Sequence, residues 1–287
     1  MKMELFKIGS LSVHGYGFMI GIGFIIALFL GEFRAKRKNM KDEAVIDLAI
    51  IAGVTGFIGA KILYIIVSFK EFMVNPLAVI GSEGFVVYGG IISGVLCCYL
   101  YCRVKKLSFM EYFDLVMPEV AVAQGFGRIG CFLAGCCYGR QTDSVFGVVF
   151  PENSLAPAGV KLIPTQLISA AGDFIIAFVL IILADVVFKK RNEAEARINV
   201  SGNDEISQNA GNSRRLRYGS VPGDIGCTYM LLYGIGRFLV EFLRNDYRGE
   251  IGFMSTSQFI SVFIVIGSAV LYVINHKNTK AAVMTRA

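Results

Sequence analysis

The chain has 287 residues, of which 55% are hydrophobic and 17% charged, with a mean hydropathy of +0.60. That charge is too little to cover a soluble domain of this length, so a water-soluble globular fold is excluded. A bilayer core needs about 20 apolar residues per helix, and about seven such helices use half of the chain and leave loops.

The first apolar run covers residues 12–33. It is too long for the apolar region of a signal peptide, and no small-residue cleavage site follows it, so it reads as a span. The second, 45–68, contains Lys61, which is expected to snorkel or to pair with an acid on another helix. Pro76 lies in the connection that follows and suggests a short re-entrant or interfacial element. The third run is 85–102, and the fourth, 113–136, is interrupted by Pro118 and Glu119. Runs at 163–188, 223–243 and 256–275 complete the set. Between the fifth and sixth, residues 190–222 are polar and read as a flexible cytoplasmic loop. No internal repeat is found, and residues 1–287 are taken as a single transmembrane domain. The 32 glycines suit close helix packing in lipid, and the absence of Trp leaves any interfacial belt to Tyr and Phe.

Basic residues fix the orientation. Eighteen of the 28 Lys and Arg fall in the connections after spans one, three and five and in the C-terminal tail; seven fall on the other side, and Lys61, Arg128 and Arg237 fall within spans. By the positive-inside rule the N-terminus is outside and the C-terminus cytoplasmic. The net charge of +6 then reflects topology and contact with anionic lipid headgroups, and no nucleic-acid partner is expected.

Charged groups inside spans are costly and usually face a cavity. Arg128 lies in AQGFGRIGCFLAGCCYGR and Arg237 in YGIGRFLVEFLRND, both toward the outer ends of their spans and beside glycines. Glu241 follows Arg237 by four residues on the same helix face, and Tyr233 precedes it by four. The bland reading of Arg237 and Glu241 is an orienting ion pair. The sharper one is that Glu241 positions Arg237 for a ligand anion, because a planar guanidinium matches phosphate oxygens. Two arginines at the outer level point to an anionic lipid headgroup. Tyr16, Tyr88 and Gln124 join them as candidate polar groups, with interfacial anchoring the alternative for each tyrosine.

Cysteine does not form a secreted-type framework. Of the seven, only Cys131, Cys136 and Cys137 cluster in a motif. They read first as small packing residues, then as a disulfide, with a thiol nucleophile or soft-metal ligation as further options. With only His14 and His276 present, a histidine-based metal site is not expected.

The segments YGFMIGIGF, GAKILY, VVYGGIISG, QGFGRIGCFLAGCCYGR, PTQL and YGIGRFLVEFLRND, in this order over nearly the whole chain, resemble the phosphatidylglycerol–prolipoprotein diacylglyceryl transferase family of bacterial membrane enzymes. The resemblance implies seven spans in the bacterial cytoplasmic (inner) membrane and no cofactor or metal. It also implies transfer of a diacylglyceryl group from phosphatidylglycerol to the lipobox cysteine of preprolipoproteins. Arg128 and Arg237 match the arginines that bind the lipid phosphate and stabilise the leaving group, and Tyr16, Tyr233, Glu241 and Gly139 match positions on which the family depends. Three positions depart. Tyr88 stands where the family usually has histidine, the proposed base for the acceptor thiol, and a tyrosine with an ordinary pKa of about 10 is a poor base. Cys131 and Cys136 stand where asparagine and glutamate are usual. Two other readings stay open: a protein of the same fold that binds anionic phospholipid with another acceptor or without catalysis, and a transporter, which would more often show internal repeats.

Overall fold

The computed structural model describes residues 4–8, 11–82, 84–200, 221–245, 250–251 and 254–284. Among these, the helices are α1 (Gly15–Arg37), α2 (Glu43–Val67), α3 (Phe69–Val74), α4 (Pro76–Gly81), α5 (Val87–Val104), α6 (Phe109–Ala134), α7 (Thr165–Val200), α8 (Asp224–Glu241) and α9 (Thr256–Met284). Strand is limited to three antiparallel pairs: β1 (Glu4–Ile8) with β2 (Leu11–His14), β3 (Val148–Val149) with β4 (Lys161–Leu162), and β5 (Glu250–Ile251) with β6 (Met254–Ser255). The chain is therefore all-α and polytopic, as its composition requires. Five helices are long and apolar enough to cross a bilayer: α1, α2, α5, α7 through Phe188, and α9 through Asn278. Two more, α6 and α8, are 26 and 18 residues long but more polar. They are the helices that carry Arg128 and Arg237. α6 runs through Pro118 without a break; a membrane helix tolerates proline where neighbouring groups satisfy the freed carbonyl. α7 outlasts its apolar stretch and continues to Val200. The rest of the expected cytoplasmic loop, 201–220, lies outside the described residues.

The chain divides into two compact units, residues 31–112 and residues 1–30 with 113–287. In the smaller unit, α2 packs on α5 through glycine. A Cβ at Gly90 would lie 2.6 Å from the Gly56 carbonyl, and one at Gly59 would lie 2.6 Å from the Gly89 carbonyl. Only hydrogen at these positions allows the two backbones to approach so closely. Ser93 Oγ, on α5, seals the contact by donating to the Thr55 carbonyl on α2 at 2.7 Å. On the outer side of α2, Phe57, Ile58, Ile62 and Ile66 are exposed, as side chains that face lipid are. Among the described residues, Lys61 is held by backbone and hydroxyl oxygens. Its Nζ donates to the carbonyls of Ser82 at 2.7 Å and Gly84 at 3.3 Å and lies 4.9 Å from the centre of the Phe85 ring. Around Pro76 the chain forms the two short helices α3 and α4. Asn75 caps α4 by accepting from Ala78 N–H, and Met73, Val74 and Leu77 point outward. That exposure suits the interfacial element expected here.

In the larger unit, Ala121 of α6, Ala177, Leu180 and Ala184 of α7, and Ile225 and Tyr229 of α8 form one buried cluster. The start of α8 is held by α6: Asp114 accepts from Gly223 N–H at 2.7 Å and Gly226 N–H at 2.8 Å. The first turn of a helix leaves backbone N–H groups unpaired, and a carboxylate there satisfies them and opposes the helix dipole. α9 joins α8 through Ser268, which donates to the Cys227 carbonyl at 2.8 Å. These ties set the rotation of α8, and with it the direction of Arg237.

Candidate active site

Three helices of the larger unit wall a cavity of about 60 Å³, room for about four waters. α6 contributes Arg128. α7 contributes Ser169 and Asp173, and α8 contributes Tyr233 and Arg237. Spacings of three and four residues put each set on one helix face. Gly172 and Gly236 also line the space, and a Cβ at either would meet nothing within 4 Å. The cavity therefore exists partly because these two positions carry no side chain.

The two arginines differ in how they are held. Arg237 Nη1 lies 2.7 Å from Glu241 Oε2, one turn on in the same helix, and Nη2 donates to Ser257 Oγ of α9 at 2.7 Å. Glu241 is braced in turn by Ser255, whose hydroxyl donates to Oε1 at 3.0 Å, and by Arg244 Nε at 3.7 Å. With side-chain exposures of 12% for Arg237 and 7% for Glu241, the pair is shielded from solvent. Arg128 makes no hydrogen bond or ion pair among the described residues and feels Tyr233, Cys131 and Asp173 only through space. One cation is thus locked in direction, and the other keeps its donors for a ligand.

The remaining expected residues fall around this centre in different ways. Tyr233 lines the cavity and stacks on Tyr229 with ring centres 5.8 Å apart. Gln124 faces Tyr229, whose hydroxyl donates to its Oε1 at 2.7 Å. Tyr16 begins α1 and lies against α6: a Cβ at Gly130 would meet its ring at 3.2 Å, two residues from Arg128. Gly139 is wedged between backbones. Its N–H donates to the Ile163 carbonyl at 2.9 Å, and a Cβ would lie 2.8 Å from the Leu243 carbonyl. It closes the segment that joins α6 to the end of α8. Tyr88 belongs to the other unit, near the start of α5, where it is 43% exposed.

The cysteine motif follows α6. Gly135, at φ +73°, ends the helix, and Cys137 is also left-handed at φ +64°. Thr165 Oγ1 donates to the Cys137 carbonyl at 2.7 Å and Gln166 Nε2 to the Cys136 carbonyl at 2.7 Å. The PTQL segment thus pins the cysteine turn. The sulfurs of Cys131, Cys136 and Cys137 lie within 4.8 Å of one another, yet no disulfide forms among the described residues, which include all seven cysteines.

Asp173, Ser257 and Tyr229 were not among the residues expected at the site. Asp173 carried a usable signal, a carboxylate inside the apolar run 163–188. Ser257 and Tyr229 carried none, since a hydroxyl near a helix end has many roles.

The family profile described as prolipoprotein diacylglyceryl transferase matches residues 3–201 and 211–274. The chain is 42% identical over 280 residues to phosphatidylglycerol–prolipoprotein diacylglyceryl transferase 2 of Clostridium perfringens, covering 96% of each chain. It is 40% identical over 268 residues to the phosphatidylglycerol–prolipoprotein diacylglyceryl transferase of Clostridium tetani, covering 93% of this chain and 94% of that one. A third such protein, from Finegoldia magna, is 30% identical over 275 residues, with 95% of each covered. With an arginine-lined cavity among its helices and relatives that match along almost its entire length, the chain belongs to the prolipoprotein diacylglyceryl transferase family.

Proposed function

We propose that this protein transfers the diacylglyceryl group of phosphatidylglycerol to the lipobox cysteine of preprolipoproteins in the bacterial cytoplasmic membrane, its N-terminus outside and its C-terminus cytoplasmic. One observation carries the reading: Arg128 and Arg237 line a single cavity, one with uncommitted donors and one held by Glu241 and Ser257. A phosphodiester seated there meets two guanidinium groups. The held one needs no reorganisation as charge grows on the leaving phosphate, and that preorganisation is what lowers a barrier. The acceptor thiol attacks the glyceryl carbon, the carbon–oxygen bond to phosphate breaks, and glycerol phosphate departs. Tyr233 offers a hydroxyl to the same phosphate. Tyr16, Gln124 and Gly139 support the site by packing, through Tyr229, and by closing the backbone beyond α6.

The test uses the full chain in phosphatidylglycerol vesicles, with the diacylglyceryl moiety labelled, and a lipobox peptide. Label is expected to move onto the peptide as a thioether with stoichiometric release of glycerol phosphate. Folded protein that moves no label defeats the assignment. One feature favours a narrower second reading, the same lipid chemistry on a different acceptor: thiols of Cys131 and Cys136 stand where family members usually carry asparagine and glutamate. Replacing the lipobox peptide by small thiols in the same assay separates the two.

A further inference from the structure

The reaction releases the proton of a thiol, and the arginines cannot take it. Arginine stays protonated at any pH at which a protein is folded. Among the other cavity groups, the Ser169 hydroxyl is engaged in donating to the Thr165 carbonyl at 2.8 Å, and Tyr233 is a phenol, a weak base at neutral pH. Glu241 is occupied by Arg237, Arg244 and Ser255.

One lining group remains. Asp173 sits on α7, one turn beyond Ser169, and is 6% exposed. Its Oδ2 has no hydrogen-bond partner among the described residues. Burying a carboxylate without such a partner is costly unless its charge is balanced or its proton is used. Its charge is balanced only through space, by Arg128 and Arg237, the two groups that would receive the phosphate. Bound phosphate therefore draws on the carboxylate's own counter-cations and leaves Asp173 as the cavity group able to hold a proton.

We propose that Asp173 is the proton acceptor of the transfer, a role that rests on the reaction assigned above. As the sulfur–carbon bond forms, the thiol proton passes to Asp173 Oδ2. The carbon–oxygen bond breaks, its electron pair leaves with glycerol phosphate, and the proton later passes from Asp173 to water. No other reactant is required. Asp173 thereby supplies the base that the other groups lining the cavity lack.

The experiment compares wild type, Asp173→Asn and Asp173→Glu, each as the full chain in phosphatidylglycerol vesicles. Acceptor peptides are identical except for cysteine or selenocysteine. A selenol is already ionised at neutral pH and needs no base. Asp173→Asn is expected to lose about 10²- to 10³-fold in kcat on the cysteine peptide. On the selenocysteine peptide it should come within about tenfold of wild type, the residue of a base effect once the base is unnecessary. Asp173→Glu should keep most of the cysteine activity, and labelled phosphatidylglycerol should bind the Asn variant at least as tightly as wild type. Equal losses on both peptides would mean that Asp173 only balances charge or supports the fold, and an Asn variant of undiminished activity would overturn the proposal outright. A wild type inactive on both peptides removes the reaction itself, and this role with it.

Discussion

Two regions of this molecule hold a half-buried cation inside an apolar run and treat it in opposite ways. In the unit of residues 31–112, Lys61 reaches the Ser82 and Gly84 carbonyls and the Phe85 ring, so every donor it has is directed at protein. In the other unit, Arg128 keeps its donors and faces a cavity that it shares with Arg237 and Asp173. Both cations bear the cost of leaving water. What separates them is whether the surroundings have already used their hydrogen-bonding capacity. A satisfied intramembrane cation is architecture; an unsatisfied one beside open space is a binding site.

The packing differs in parallel. α2 and α5 meet backbone to backbone through Gly56, Gly59, Gly89 and Gly90, which leaves no room for solvent or ligand. α6, α7 and α8 are kept apart by larger side chains such as Phe126 and Phe174, whose rings meet edge to face at 5.4 Å. Gly172 and Gly236 lie where nothing fills the gap. Glycine thus closes one interface and opens another, depending on whether a second backbone arrives opposite it.

Substitutions can break this contrast. The largest effect is expected from Arg128→Ala, which removes the uncommitted donors: transfer to the lipobox peptide should fall by about 10²- to 10³-fold while the protein stays folded, the usual cost of losing one charge-stabilising group. Initial rates with labelled lipid, beside an unchanged thermal unfolding midpoint in detergent, check it. Gly89→Val should do the reverse. Its side chain would run into the Gly59 carbonyl, and overpacking of this kind costs about 1–3 kcal/mol, read as a lowered unfolding midpoint, with the rate per folded molecule little changed. The smallest effect is expected from Lys61→Met, which keeps the stem and removes the charge. Stability should shift by about 1 kcal/mol and transfer should stay within about twofold of wild type. A loss in Lys61→Met as large as that in Arg128→Ala would erase the distinction between satisfied and unsatisfied cations.

Some of the site could be read before any fold was known. The four-residue spacing of Arg237 and Glu241 is a property of one helix, and the pair forms at 2.7 Å as that spacing implies. Arg128 beside glycines and the polar character of α6 and α8 are equally local. Lys61 was less legible. Snorkelling or an acidic partner was the natural expectation; among the described residues the Ser82 and Gly84 carbonyls beyond α4 meet the ammonium, and no periodicity marks such carbonyls. Ser257 and Asp114 show the same limit. One braces Arg237 from the next helix and the other caps α8 from α6, over 20 and more than 100 positions of chain respectively.

By itself, then, the sequence determined that this chain lives in a bilayer, that its helices are long, and that two arginines and a glutamate sit where apolar residues would be cheaper. Those properties follow from side-chain transfer energies and the 3.6-residue period, which neighbours in the chain are enough to express. Only the tertiary structure decided that Arg128, Arg237 and Asp173 share one cavity and that Lys61 meets the carbonyls beyond α4. Which donor meets which acceptor depends on helices brought together across long separations, and the side chains that settle it are fixed by packing rather than by their place in the sequence.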